Sequence, residues 1–492
     1  MKKFLLALLV SGFSFSLFAQ RNDNIMILGY HYFPNGPIPI WDFTYGHPDT
    51  AAYFSPIDIF NCNSSICDSS GSIQLYSNGI YLINRFQQIV PGSQDFNADT
   101  YTINSHASYL PFSQSILILP APANSNLYSI FHLSGVIYGN NVQAGHLGYS
   151  IVDMSQNGGQ GQMIQKDSTI INGVLLYSTL NAVKHANGRD WWIIVEEAGT
   201  GMFFRALLTP YELQIFSKTG GGYIIPSGFY GESNFSPDGE KYAIAYPDSN
   251  KLLVYSFDRC TGILTFDKMI SKPYNPNGGN FSGCSYSPNS QILYASDYLN
   301  LYQYQGASSN TPTIEISIAT IDNVGDPLPA YFVKQSLGPD GKIYISTGNS
   351  CAHYHVINNP DQPDTLCNFV QHQQKMINYG SSIPVFPNFR LGPIHGSACD
   401  SIYNDVAENF RESNLFVYPN PATGKIFISL HQNVTSSALA ALYTIDGKLI
   451  FKDNFTESTS INVKELSAGI YFLTINSGNQ TWRKKVVVES KE

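Results

Sequence analysis

Charge is scarce in this chain. Asp, Glu, Lys and Arg together make up 13% of its 492 residues, for a net charge of −9. No basic cluster interrupts the acidic balance, which argues against nucleic acid and anionic membrane surfaces as partners. Long apolar stripes of 3.6-residue period with caps are missing, while 40 Gly and 27 Pro punctuate the chain, so helices are not expected. No C-x-x-C pair is present, which removes the usual zinc frameworks. There is no G-x-S-x-G elbow: Gly396-Ser397-Ala398-Cys399 lacks the second glycine, and the neighbouring His395 does not supply it. The glycine runs at Gly220-Gly221-Gly222 and Asn157 to Gly161 lack P-loop spacing, and no cofactor is expected. Catalytic residues stay unassigned.

What the chain has is aromatic and β-forming. Phe, Tyr and Trp reach 13%, with 32 Tyr and 30 Phe, residues that favour pleated, half-buried surfaces. The expectation is an all-β protein. At the N-terminus, Met1-Lys2-Lys3 and the apolar run Phe4 to Phe18 lead to Ala19, the pattern of a signal peptide over 1–19. No later stretch is long and apolar enough to span a membrane, so no transmembrane segment is expected in the mature chain. Seven cysteines in an exported chain admit disulfides. Cys62–Cys67 and Cys351–Cys367 are near enough in sequence for local staples, and Cys260 and Cys284 fall in adjacent repeats.

One phrase recurs. Ser236-Pro237-Asp238-Gly239, Ser287-Pro288-Asn289-Ser290 and Gly338-Pro339-Asp340-Gly341 place their prolines 51 residues apart, and each leads into a short apolar run. A further step back lands on His185-Ala186-Asn187-Gly188 before Trp191-Trp192-Ile193-Ile194-Val195. Proline presets a β-turn and Asp or Asn with Gly completes it, so each phrase is a tight turn feeding a strand. Looser copies start at Pro122 and Asp68, with the loop Asn157 to Gln162 absorbing the longer step between them and Ala186. A four-stranded propeller blade takes roughly 40 to 50 residues, so each repeat reads as one blade. Six units are visible. A seventh is expected where Val385 to Leu391 pairs with Ile25 to Tyr30, for a β-propeller of about seven blades, with six or eight as alternatives.

Two resemblances add to this. Lys184 to Trp192, Phe257-Asp258-Arg259-Cys260-Thr261-Gly262, Gly341-Lys342-Ile343-Tyr344 and Val356 to Pro360 resemble exported Bacteroidetes propellers of the WD40/YVTN-like kind, over most of residues 25 to 400. Leu415 to Pro421, Thr444 to Lys448, Leu466 to Phe472 and Arg483 to Val488 resemble the type A C-terminal sorting domain of the type IX secretion system. The second resemblance implies passage through the periplasm to the cell surface or the medium, with residues 414–492 engaging the secretion machinery. Turns at Asp446-Gly447 and Ala468-Gly469 between short apolar strands suit a small Ig-like β-sandwich. The expected organisation is signal peptide 1–19, propeller 20–399, linker 400–413 and sorting domain 414–492.

Candidate site chemistry is thin. His353 and His355 sit two apart, so on a strand both could face one metal, with His372 the nearest third ligand. They are weak candidates, and no metal is assigned. Glu196 and Glu197 are adjacent, hence on opposite faces of a strand and unable to act together. Asp238 and Asp340 are explained by their turns. Trp41, Trp191, Trp192 and the many tyrosines offer surfaces for a glycan or protein ligand. The leading functional expectation is a non-catalytic binding or adhesion module, and the alternative is a hydrolase or lyase with a metal or carboxylate site in the channel.

Overall fold

The computed structural model describes residues 20–29, 37–105, 109–138, 141–221, 223–224, 231–276, 279–306, 313–380, 382–400, 415–430, 437–456, 458–477 and 480–489. The expected signal peptide, and all but the first residue of the expected linker, lie outside them. Among the described residues no helix is long and apolar enough to cross a membrane.

Antiparallel strands dominate. Each repeat turn joins the innermost strand of a blade to its second strand. Blades 5, 6 and 7 start with Glu232–Phe235, Gly283–Tyr286 and Gln335–Leu337, and turn at the three proline phrases into Lys241–Tyr246, Ile292–Ser296 and Ile343–Ile345. In each turn the Asx side chain closes the loop. Asp238 Oδ1 accepts from Ser236 Oγ at 2.5 Å and from the Glu240 amide at 3.0 Å, while Asn289 Oδ1 takes Ser287 Oγ at 2.7 Å and the Gln291 amide at 3.0 Å. Blade 4 runs from Asn181–Lys184 to Leu213–Gly220, and blade 3 from Ile116–Pro120 to Gln162–Leu175. One residue pair, Leu175 with Glu197, links these two blades edge to edge. The extra length of blade 3 lies mainly in its outer hairpin, Asn141–Asp153 and Gln162–Leu175, and the loop from Asn157 is only a short connector. Blade 2 has three strands, Ser64–Cys67, Ile73–Ser77 and Leu82–Asn84.

The seventh unit is blade 1, and it differs from the expected closure. Ile25–Ile27, Pro37–Asp42 and Asp49–Phe54 form their own three-stranded sheet. Among the described residues its backbone pairing with the end of the body is one bridge, Gly29 with Ser382, to which Thr50 with Lys375, Asn378 with Pro37 and Arg390 with Asp23 add side-chain bonds. Residues 385–391 form no strand, because Pro384 and Pro387 remove the amides a ladder needs.

Every blade packs on the next through an apolar layer. Ile27, Ile40 and Tyr76 join blades 1 and 2. Ile66, Leu117 and Ile193 run in one core from blade 2 through blades 3 and 4. Trp192 with Tyr255, Val254 with Tyr286, and Tyr294 with Ile345 seal the following interfaces. Met26, Trp41, Tyr344 and Tyr354 close the ring between blades 7 and 1. The result is a seven-bladed propeller, in which the inner edges are covered by neighbours.

Residues 383–391 thread the middle of the ring. Ile383 is buried against blades 7 and 1, and Phe386 touches that core and the core of blades 2 to 4. Phe389 is 1% exposed and meets Trp191 edge-on at 5.7 Å. Asn388 Nδ2 donates to Pro237 O at 2.7 Å, and Arg390 grips Asp23 through two bonds of 2.5 and 2.6 Å. A segment that touches blades 1, 4, 5 and 7 in so few residues crosses the axis. At its far end the Ile394 amide binds Ala186 O at 2.8 Å, and Arg259 donates to Gly392 O at 2.6 Å. Gly239, at φ +75°, has no room for a side chain there, since a Cβ would lie 2.8 Å from Leu391.

A disulfide between Cys260 and Cys399 ties the end of this plug to blade 5. None of the three sequence-based pairings forms; the other five cysteines are free and buried. Cys62 and Cys67 face different inter-blade cores on opposite sides of blade 2. Cys351 opens the strand Cys351–Ile357 and Cys367 lies beyond its other end, a span of roughly 20 Å. Cys284 sits on an inner strand, whereas Cys260 is in an outer turn.

The tail is a two-sheet sandwich. Leu415–Tyr418, Lys425–Leu430 and Ser458–Asn462 face a four-stranded sheet ordered Leu449–Phe455, Ala438–Thr444, Gly469–Ser477 and Gln480–Val488. Its core is its own, built on Val417, Ile428, Leu442, Leu473 and Val486. It touches the propeller at the edge of blades 3 and 4, where Ser168 Oγ and Tyr418 Oη lie 3.1 Å apart and Lys484 Nζ sits over Tyr211.

Candidate functional site at the propeller axis

The innermost strands start at one end of the ring, and their first residues line a cavity of about 50 Å³ there. Asn63 comes from blade 2, Ser113 and Gln114 from blade 3, Asn181 from blade 4 and Lys334 from blade 7, while Ile383 and Val385 of the plug form its floor. Polar residues occur at strand starts because the first amides of each inner strand need acceptors that no neighbouring strand supplies. Gln114 answers this by pairing both ends of its amide with the Ser233 backbone, at 2.8 and 3.0 Å. Asn181 donates to Ser233 O at 3.0 Å and accepts from the Ala182 amide.

Lys334 is the cation of this site. Its Nζ donates to Ser113 Oγ at 3.0 Å and to the Gly231 carbonyl, and Ser113 Oγ in turn lies 2.6 Å from Ser178 Oγ. Behind it, Glu232 is fully buried at the start of blade 5. Its Oε2 accepts the Cys284 and Gln335 amides, each at 2.9 Å, so one carboxylate bridges the inner strands of blades 5, 6 and 7. Burial pushes the Glu232 carboxyl up to about 8, opposed by the nearby Lys334 charge, and burial lowers Lys334. Glu232 Oε1 and Asn63 Oδ1 are buried acceptors with no hydrogen-bond partner.

A second buried carboxyl lies between blades 4 and 5 at the same end. Glu196 is 1% exposed and receives a hydrogen bond from Tyr246 Oη; burial raises it to about 8. Glu197, on the opposite face, pairs with Lys218 at 2.8 Å, as the strand alternation requires.

His353 and His372 converge on Asp326, whereas His355 is packed against Phe332. His353 Nδ1 contacts Asp326 at 3.0 Å, and His372 sits between Asp322 at 3.2 Å and Asp326 at 3.6 Å. His355 is buried against Phe332, with ring centroids 4.8 Å apart; it is lowered to about 4 by burial and by the adjacent His372. The ladder of this strand is irregular between Cys351 and His353 and again between Tyr354 and Val356. Among the described residues no group of three or more His, Cys, Asp or Glu is placed to hold a metal ion. Trp41, Trp191 and Trp192 are buried in the blade interfaces, where they do not reach a ligand. Gly396 to Cys399 is the closing loop of the body, fixed by the disulfide. Sequence reasoning missed Glu232, Lys334 and Asn63, although each stands immediately before or at the start of an inner strand.

Fold and tail together define an exported β-propeller with a sorting domain. Residues 416–489 match the secretion system C-terminal sorting domain family, and the chain is exported by type IX secretion to the cell surface or the extracellular space. No curated protein matches the sequence. Among solved structures it is similar to a functionally unknown protein from Desulfotomaculum acetoxidans, at 11% identity and a TM-score of 0.40, over 74% of this chain and 99% of that one. It is also similar to the periplasmic gluconolactonase of Pseudomonas aeruginosa, at 11% identity and a TM-score of 0.36, over 73% and 98%. A third is apo AztD from Citrobacter koseri, at 10% identity and a TM-score of 0.37, over 73% and 96%.

Proposed function

We infer that this protein is a non-catalytic binding module, exported after removal of residues 1–19 and displayed or released with its ligand site at the axial cavity. The carrying observation is the plugged channel. The chain's own residues 383–391 floor the axis, so the ring is a closed cup with a hydrogen-bonding wall and not a conduit. Its wall mixes amides, hydroxyls and one lysine with apolar side chains such as Ile116, Leu117, Leu180 and Val333, the combination suited to recognising a ligand with a few polar groups. The boundaries 20–399 for the binding body, 400–413 for a linker and 414–492 for the sorting domain belong to this reading, as does a Bacteroidetes origin.

The alternative is a secreted hydrolase or lyase, and Glu232 is the observation that favours it, because a carboxyl held near 8 can serve as an acid at neutral pH. One experiment separates the two. The purified full chain is screened on glycan and peptide arrays and assayed with ester and lactone substrates. Saturable binding without turnover supports the binding module, while turnover without binding overturns it.

A further inference from the structure

Blade 1 is one strand short, and its outer edge is open. Blades 3 to 7 end in outer strands that each have a register shift in the ladder and an internal charge, at Lys166, Lys218, Lys268, Glu315 and Lys375. Both devices discourage a further strand from adding. Blade 2 also has three strands, but its edge is taken: Ile83 bridges Ile89, and the Val90 amide donates to Leu82 O at 3.0 Å. Blade 1 has neither protection. Its outer strand, Asp49–Phe54, pairs with Pro37–Asp42 without a shift, and beyond Asp49 it carries no charge.

The ladder fixes which groups are free. The Leu28 amide donates to Pro39 O and the Phe43 amide to Asn24 O, each at 2.9 Å, so the odd residues of the middle strand bond inward. Its even residues Ile38, Ile40 and Asp42 then bond Tyr53, Ala51 and Asp49. The amides and carbonyls of Thr50, Ala52 and Phe54 therefore point away from the blade, and among the described residues none of these backbone groups has a partner. The side chains of the same three residues share the blade 7 face, where Thr50 Oγ1 donates to Lys375 O at 2.8 Å. The outer strand of blade 7 is irregular between Lys375 and Gly380, and its Asn378 Nδ2 donates to the carbonyl of Pro37, the register partner of Phe54. Phe54 is 72% exposed, and Ile377 and Tyr379 on either side of Asn378 are exposed as well. An open edge beside an apolar shelf is the arrangement that accepts an added strand.

The occupant is a single extended segment from another molecule. The edge lies one strand spacing, about 4.8 Å, behind the place a fourth strand fills, with four-stranded blade 7 beside it, so the rim of a folded partner meets blade 7 first. Residues 401–413, outside the described ones, connect the disulfide on blade 5 to the sorting domain at the edge of blades 3 and 4, away from blade 1 and its neighbours. With no charge between Thr50 and Phe54, an uncharged segment leaves no buried charge unpaired.

We propose that the outer edge of blade 1 docks an extended, uncharged segment of a partner protein as the blade's fourth strand. Thr50, Ala52 and Phe54 supply the backbone bonds, and Phe54, Ile377 and Tyr379 receive apolar side chains at alternate positions of the segment. The site is separate from the axial cavity and stands without it. The test uses the purified full chain and a capped heptapeptide of alternating valine and threonine, with calorimetric titration and hydrogen exchange of the Thr50, Ala52 and Phe54 amides. The expected result is saturable binding, with amides that exchange freely in the chain alone and are protected by the peptide. Ala52→Pro should weaken binding about tenfold or more, because the ring removes an outward amide and leaves the bonds to the middle strand intact. The same peptide with glutamate in place of valine should bind at least about tenfold more weakly. The assignment is overturned if the heptapeptide does not bind, if it binds without protecting these amides, or if Ala52→Pro or the glutamate peptide binds equally well. Should Ala52→Pro lose its thermal transition, Phe54→Lys takes its place on the exposed side of the edge: binding about tenfold weaker supports the site, and equal binding overturns it. Amides already protected in the chain alone also overturn it, with a monomer in sedimentation showing that the chain fills its own edge and a dimer showing that a second copy does.

Discussion

Glu196 is a carboxyl sealed in an apolar seam with one tyrosine hydroxyl for company, and the cost of that position depends on pH. Its folded value near 8 lies above the ordinary 4.5, so between these values the folded chain holds a proton that the unfolded chain has released. The stability it contributes is complete below about 4.5 and is lost as pH rises through 8. The loss is on the order of 5 kcal/mol. Thermal melts from pH 5 to 8.5 should therefore fall less steeply for Glu196→Gln than for wild type; parallel curves would show that the carboxylate is solvated in the folded state. None of this is legible in the sequence, where Glu196 and Glu197 are alike. Their difference arises because Trp192 and Ile194 share the Glu196 face with the blade 4–5 core.

At the scale of the element, the repeat turns carry the fold in a form that can be read directly. Their chemistry is local: proline sets one dihedral, and an Asx side chain bonds its own loop. Asp238→Ala removes acceptors for Ser236 and Glu240 and should cost about 1 kcal/mol in urea unfolding, with the propeller retained. The plug is the opposite case. Pro384 and Pro387 indicate only that the segment is not a central strand, and nothing local says that Phe389 reaches Trp191, nearly 200 residues earlier. Phe389→Ala should cost about 3 to 5 kcal/mol by leaving a cavity on the axis, measured by the same unfolding series. The cysteines were illegible for a related reason. Proximity in sequence favours Cys62 with Cys67, but a blade turns them toward different neighbours.

For the whole molecule, the ring and the tail fold around separate cores, and the sorting tail is legible from its motifs because strand, turn and terminal basic run recur in fixed order. Deleting residues 414–492 should leave the propeller in the periplasm; unchanged appearance in the medium would defeat the sorting role. The disulfide closes a span of 139 residues, for which chain entropy predicts roughly 4 to 5 kcal/mol of stabilisation. Cys260→Ser should lower the melting temperature accordingly and should leave the melting temperature insensitive to a reducing agent.

The threaded segment also imposes an order in time. Blades 1 to 7 are synthesised first, and the residues that fill their common centre come last, immediately before the sorting tail. Six blade interfaces can form as the chain emerges, but the layer around Phe389 and the bond to Cys399 wait for the final stretch of the body. A chain cut anywhere before Cys399 is an unfinished ring, however many blades it carries.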